Sequence, residues 1–487
     1  MRPSLSLRPC PGVGVGVGVG VGVGFGSRCT PPPSRQARRS LSSLPRLFPQ
    51  PPPDPRRRAA STSSAETDWL SWLRKGAALG MGGSGPSVPR KALLFAGFGS
   101  YPHTPYSPTA ASMRVWEEAS DAILAPDMTI GYEARGMEEF AGSLRGGGCV
   151  RGWMRGWVEG RTLDELMKRP DVTAAFILTS TIAILASAQE QSGSPTLLPE
   201  GTTHLAGHGF LGTLTALVAA GRLDLGTGVR LARLYAILPP TPPNTRPSSN
   251  RFLTTVLSAR HFHSLSSPSM FVPFEDPLAE SSDSPQRRKR AMQLILDEIH
   301  GLQRGWESDG DEWAGAGIIN SSKVLVVTGT TFAVHQIIDR LQQLNLANPV
   351  MDVHMPCPYH TRLMDHAVPR FHGILSRCDF RPPPVVDGFS PIILDPQTTH
   401  PMRGDPAEAL LPSLNNQLRW HKTLYRLYSQ PTPAIDEFLS VGRGAKGLGV
   451  MLRGELKKRP EGAPPIGIAE FGVKEVDIRG RPRVSAS

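Results

Sequence analysis

Short apolar runs alternate with stretches of helical periodicity across residues 91–455. Lys91-Ala-Leu-Leu-Phe95 reads as a buried strand, ended by the glycine turn Ala96-Gly97-Phe98-Gly99-Ser100. Apolar residues at three- and four-residue spacing predict helices over Met113–Leu124 and Thr162–Lys168. The run Ala174–Ala188 carries four Ser/Thr and falls short of the ~20 residues a membrane span needs, so it predicts a buried helix and no transmembrane segment. His204-Leu-Ala-Gly-His208 is short and apolar. It leads into a small-residue helix from Thr213, with Gly221 as its C-terminal cap. Further helices are predicted over Leu225–Leu238, Ala291–Arg304 and Phe332–Leu344, and further strands over Val324–Gly329, Val350–His354, Pro382–Asp387 and Ala434–Val441. Strands alternating with helices specify α/β architecture.

The pattern lapses in four places. Residues 61–90 form a Ser/Gly/Pro-containing linker, 305–316 an acidic Gly/Trp loop, and 456–487 a basic, Pro-containing tail. Residues 239–289 are Pro/Ser-rich and then charged, and read as a disordered insertion.

Composition changes the picture at the N-terminus. The chain has 487 residues, enough for two to three domains, and a formal net charge of +11. A balance that basic suggests nucleic acid or an anionic membrane. Residues 1–60 hold ten Arg, no Lys and one acid, Asp54, which leaves 43 basic and 41 acidic residues for the body. The body is therefore near neutral, and a basic nucleic-acid-binding surface is excluded as its organising feature. The leader is Arg- and Ser-rich, nearly acid-free, and carries a Val-Gly tract and two Pro-Pro-Pro runs. That is the composition of a mitochondrial transit peptide, and the expected destination is the matrix. Five Cys, two of them in the leader, make no disulfide framework.

Several fragments carry candidate chemistry that fails on inspection. Cys357 precedes His360 by three residues, but a short Pro-containing segment does not ensure contact, and a small buried Cys is preferred. His354, Cys357 and His360, with His366 and His372 nearby, resemble zinc spacing, yet Pro369 breaks the helix face that would align the last two. Arg145–Gly152 lacks the G-K-[ST] ending of a phosphate loop. Gln286–Arg290 reads as the solvated flank of the insertion.

Four stretches share a single pattern. FAGFGS (Phe95–Ser100), AGHGFLGTLTALVAAGRLDLGTGVRLARLYA (Ala206–Ala236), GIINSSKVLVVTGT (Gly317–Thr330) and MPCPYHTRLMDHA (Met355–Ala367) resemble, in order, the FPGQGSQ turn, the GHSxGE nucleophile elbow, the small-domain segment and the histidine segment of the malonyl-CoA:acyl carrier protein transacylases. A weaker fifth match is EFLSVGRGAKGLGVMLRG (Glu437–Gly454). The resemblance implies a hydrolase-like parallel-sheet core over 91–238 and 357–455, interrupted by a ferredoxin-like small subdomain over 290–356. It implies a monomer without cofactor or metal that moves a malonyl group from malonyl-CoA to acyl carrier protein in mitochondrial fatty-acid synthesis, through an acyl-enzyme.

Carried over residue by residue, His360 matches the general base and His208 the residue before the nucleophile. Asn320 matches the small-domain motif, and Gln417 the glutamine that holds the catalytic histidine. Backbone N–H groups at Phe98 and Leu211 match the oxyanion donors. The nucleophile does not match: Gly207-His208-Gly209-Phe210-Leu211-Gly212 is one residue longer than the family motif and has no hydroxyl. Either Gly209 or Phe210 takes the serine's place. Thr213 and Thr215 lie past Gly212, off the strained turn where a nucleophile must sit. Tyr235 stands where the family has the arginine that binds the malonyl carboxylate, with Arg230 and Arg233 nearby, and Arg443 replaces a proline of the last motif. Two explanations account for the departures: an inactive relative that binds carrier protein or acyl-CoA only, or a gene reading displaced at exon junctions.

Overall fold

The computed structural model describes residues 88–98, 109–124, 170–238, 240, 252–260, 285–306, 312–353, 355–382, 390–429, 434–442, 445–459 and 462–471. The strand expected over Pro382–Asp387, the helix over Thr162–Lys168, the Gly-rich 142–152 loop, His354, Arg443 and the leader lie outside these residues apart from Pro382.

The large sheet is parallel. Its strands are β1 (Lys91–Phe95), β2 (Thr202–Gly207), β7 (Ile392–Ile393), β8 (Glu437–Val441) and β9 (Gly467–Glu470), in the order β7-β2-β1-β8-β9. The central strand β1 shows why it takes this place. Leu93 and Phe95 enter one hydrophobic cluster, and Ala92 and Leu94 enter another on the opposite face. After Lys91 the strand is apolar at each position and covered on both faces, which parallel sheets require. One cover consists of α1 (Ala110–Leu124), α2 (Pro170–Ser192), α3 (Gly209–Ala219) and α4 (Leu225–Ala236). The other is α9 (Trp420–Ser429) and α10 (Ala445–Leu456), through Trp420, Leu424 and Leu452.

Helix α2 is longer than its apolar run predicts. By length and composition alone, Thr173–Ser192 is sufficient to cross a membrane. Residues 173–187 are buried on every side, as expected of an all-round apolar helix inside a large core. Its hydroxyls are satisfied locally, Thr179 Oγ1 donating to Ala175 O at 2.8 Å and Thr181 Oγ1 to Ile177 O at 2.7 Å.

The second sheet is antiparallel and corrects one boundary. Its elements run β3 (Phe252–Ala259), α5 (Pro285–Trp306), β4 (Ala314–Ile319), β5 (Val324–Thr330), α6 (Thr331–Gln343) and β6 (Ala347–Asp352). The strand order is β4-β5-β3-β6, with every pairing antiparallel. This β-α-β-β-α-β connectivity is the ferredoxin-like one. β3 is an interior strand, yet it falls inside 239–289, where the sequence predicts disorder. The subdomain thus begins at Phe252 rather than residue 290. Pro/Ser-rich flanks mask FLTTVLSA, whose β-branched residues and inward Leu257 suit an interior strand. Likewise β4 occupies the end of the expected 305–316 loop, and β9 lies in the expected tail.

Backbone hydrogen bonds link β4 to the second part of the large subdomain. Ile319 N–H donates to Leu418 O, and Leu418 N–H donates to Gly317 O, each at 2.8 Å. This short bridge sets β4 beside the 414–418 segment.

Candidate active site

The β2–α3 connection is a tight elbow built on glycines. A Cβ at Gly207 would run into Thr213 N, and one at Gly212 would lie 2.6 Å from Phe95 O. These two positions allow the start of α3 to close against β1 and β2. His208 is the N-cap of α3 and its N–H donates to Phe95 O at 2.9 Å. Gly209 follows at φ +68°, the left-handed conformation that a nucleophile on such a turn adopts.

The structure selects between the two candidate nucleophile positions. A Cβ built on Gly209 lies 3.4 Å from His360 Nε2, with Leu418 Cδ2 at 3.6 Å. Phe210 points into the core: it is fully buried and stacks on Tyr235 with ring centroids 4.2 Å apart. Of the two candidate positions, Gly209 is the one that faces His360, and Phe210 belongs to the core. The first N–H past Gly209 is Phe210's, and the N–H of Leu211, the oxyanion candidate, follows one residue later. Helix α3 begins at Gly209, so both N–H groups lack an acceptor one turn earlier. Thr213 Oγ1 donates to Gly209 O at 2.8 Å and Thr215 Oγ1 to Leu211 O at 2.8 Å, so both hydroxyls serve the helix.

His360 faces the elbow at φ +63°, held by its N–H donating to Leu414 O at 2.7 Å. A non-glycine residue in that conformation costs about 1–3 kcal/mol, and such strain gathers at functional sites. Its Nδ1 lies 3.3 Å from Asn416 O. A carbonyl only accepts, so Nδ1 carries the proton and Nε2 presents its lone pair to Gly209. Burial first, and His208 beside it second, push His360 down to about 3, against the opposing bond to Asn416 O. The imidazole is thus neutral at physiological pH, the state a proton acceptor needs.

His208 and Asn320 lie together. His208 Nε2 donates to Asn320 Oδ1 at 2.8 Å, tying the elbow to the small subdomain. Burial pushes His208 below its ordinary value, with the Asn320 bond opposing. Gln417 is a correction. Its Nε2 donates to Ala316 O at 2.8 Å, and the group that holds His360 is the neighbouring Asn416 carbonyl. Sequence reasoning missed Asn416, and also Trp420, whose ring meets His208 edge-on at 5.1 Å. A backbone carbonyl leaves no residue signature, and the only hint is that Asn416 directly precedes Gln417.

The wall behind the pair is aromatic. Tyr235 lies between Phe210 and Tyr359, each ring centroid 4.2 Å away, with Phe98 at 6.0 Å and Phe371 at 6.1 Å. Tyr359 Oη donates to Tyr235 O. Burial raises the phenols of Tyr235 and Tyr359 well above their ordinary value, so both stay neutral. Of the two arginines near Tyr235 in sequence, Arg230 Nη1 donates to Ala122 O at 3.4 Å, and Arg233 is fully buried in α4.

The remaining sulfur and imidazole groups are engaged elsewhere. Cys357 Sγ donates to Leu238 O at 3.0 Å, and burial pushes its thiol up to about 12. His366 Nδ1 lies 2.9 Å from Leu363 O, and His372 Nε2 lies 3.3 Å from Glu408. Among the described residues no cluster of potential metal ligands forms.

No family model and no curated protein matches the sequence. Solved structures do match. An acyl carrier protein S-malonyltransferase from Vibrio cholerae is 17% identical with a TM-score of 0.53, over 78% of this chain and 96% of that one. A malonyl-CoA:acyl carrier protein transacylase from Xanthomonas oryzae is 16% identical with a TM-score of 0.53, over 80% of this chain and 96% of that one. FabD from Acinetobacter baumannii is 18% identical with a TM-score of 0.51, over 80% of this chain and 96% of that one. The chain has the fold of the malonyl-CoA:acyl carrier protein transacylases.

Proposed function

We propose that the elbow cleft binds an acyl thioester, with malonyl-CoA as donor and acyl carrier protein as the cognate carrier, and that the chain as written forms no acyl-enzyme. One observation carries this reading: the Cβ direction of Gly209 aims at the lone pair of His360, with no side chain there to attack. His360, the glycine elbow and the N–H groups at the start of α3 support this reading, while a nucleophile's hydroxymethyl group and an arginine at position 235 are missing. Full ping-pong malonyl transfer is the reading for a chain carrying serine at 209. The positive φ of Gly209 favours it, because that is the conformation an elbow nucleophile occupies. No cofactor enters either reading, and the protein acts as a monomer. The composition of residues 1–60 supports action in the mitochondrial matrix.

Intact-mass measurement after incubation with malonyl-CoA tests the site. The native chain should show no added malonyl group. Gly209→Ser, with Phe210 left in place because it belongs to the core, should show one, and the double variant with His360→Ala should lose it. A covalent adduct on the native chain, or none on a folded Gly209→Ser protein, would overturn the reading.

A further inference from the structure

We infer that the native chain is an acyl-thioester hydrolase, in which a water molecule occupies the space opened by Gly209 and is activated by His360. This rests on the thioester-binding reading above and adds a reaction to it. Three observations converge. The ideal Cβ of Gly209 points at His360 Nε2 from 3.4 Å and nothing approaches it more closely, so a water hydrogen-bonded to Nε2 lies beside the elbow on the side a serine hydroxyl would take. The tautomer set by Asn416 O leaves Nε2 as an acceptor, and among the described residues it has no hydrogen-bond partner. The side chain is buried and aimed into the elbow. The N–H groups of Phe210 and Leu211 stand one residue further on, where a carbonyl oxygen gains charge.

The step balances without any other reactant. The water oxygen forms a bond to the thioester carbonyl carbon while Nε2 takes a proton from that water. The carbonyl electron pair moves onto its oxygen, facing the α3 N–H groups. When the oxyanion collapses, the carbon–sulfur bond breaks, and the thiolate takes the proton back from Nε2. Acyl thioester and water give a carboxylic acid and a thiol, with no bond to the protein at any stage. The aromatic wall supplies no cation, so an uncharged acyl group is accepted at least as well as a carboxylated one.

The experiment uses the full chain with acetyl-CoA and malonyl-CoA as probes and no carrier protein, and follows thiol release with a chromogenic thiol reagent. The native chain should release coenzyme A catalytically while its intact mass stays unchanged. His360→Gln should lower the rate by at least about 100-fold, the low end of general-base contributions. Gly209→Ser should replace steady hydrolysis by an acyl adduct, which also verifies that this variant folds and binds. Thiol release no faster than in buffer, beside adduct formation by Gly209→Ser, would sink the hydrolase inference and leave the binding site standing. Absence of both would sink the two together. Release that persists in folded His360→Gln would also overturn the assignment of the base.

Discussion

At the scale of single residues, the site depends on buried, uncharged imidazoles. Burial holds His204 at about 4 and His360 at about 3, both below the ordinary 6.5. A histidine depressed on folding takes up its proton more readily in the unfolded chain. Its contribution to stability is therefore complete above about pH 6.5 and is lost as the pH falls toward the folded value. At pH 5 each such residue costs on the order of 2 kcal/mol. Denaturant unfolding should show a marked drop between pH 7 and pH 5. His204→Gln should reduce the steepness by about one proton, because β2 no longer buries a titrating ring. Hydrolysis, in contrast, should stay flat over this range while the protein is folded, since His360 does not protonate there. Asn320→Ala removes the acceptor of a buried His208 N–H and should cost about 1–3 kcal/mol. The residue scale is also where sequence reasoning stops short. Placing the serine's position on Gly209 or Phe210 needed the direction of a Cβ, and both registers fit the letters equally well.

At the scale of elements, the parallel core was legible because its signals are redundant. β1 is a continuous apolar run, and α3 follows a glycine turn at the expected spacing. β3 was not legible, because eight strand residues lie between segments whose Pro and Ser content outweighs them. The structure makes β3 interior, hydrogen-bonded along both edges, and Leu257 is inserted under α5 and α6. Leu257→Ala should destabilise the protein by about 2–5 kcal/mol, the usual cost of deleting a buried leucine side chain. A residue in a disordered insertion would cost nothing. Thermal unfolding of that one variant discriminates between the two assignments. Gly212→Ala tests the elbow in the same way: its Cβ would press on Phe95 O, and both stability and any elbow chemistry should fall together.

At the scale of the molecule, the His208–Asn320 contact depends on two subdomains staying in register. Besides the Leu418 bridge, Glu455 of α10 is buried and accepts from Ser322 N–H at 3.1 Å, while pairing with Lys458. Glu455→Ala leaves that N–H without its acceptor. Amide exchange over residues 320–325 should accelerate selectively, with global stability reduced by about 1–3 kcal/mol. The charge distribution is also a whole-molecule property. Nine of the eleven net charges fall in residues 1–60, so a fluorescent reporter carrying only those residues should collect in mitochondria. A reporter that stays diffuse would remove the matrix from the proposal.

The placement of β1 has a consequence for the order in which the protein can be made. Its two neighbours, β2 and β8, begin at residues 202 and 437. One edge is paired early, and the other waits until nearly the whole chain has left the ribosome. All four strands of the antiparallel sheet are translated between residues 252 and 352, within that wait. The small subdomain is thus the unit able to close first during synthesis, while an apolar strand of the large sheet keeps an open edge. Pairing of the second edge of β1 is a late event of biosynthesis, and truncated products lacking β8 carry an adhesive edge with no partner.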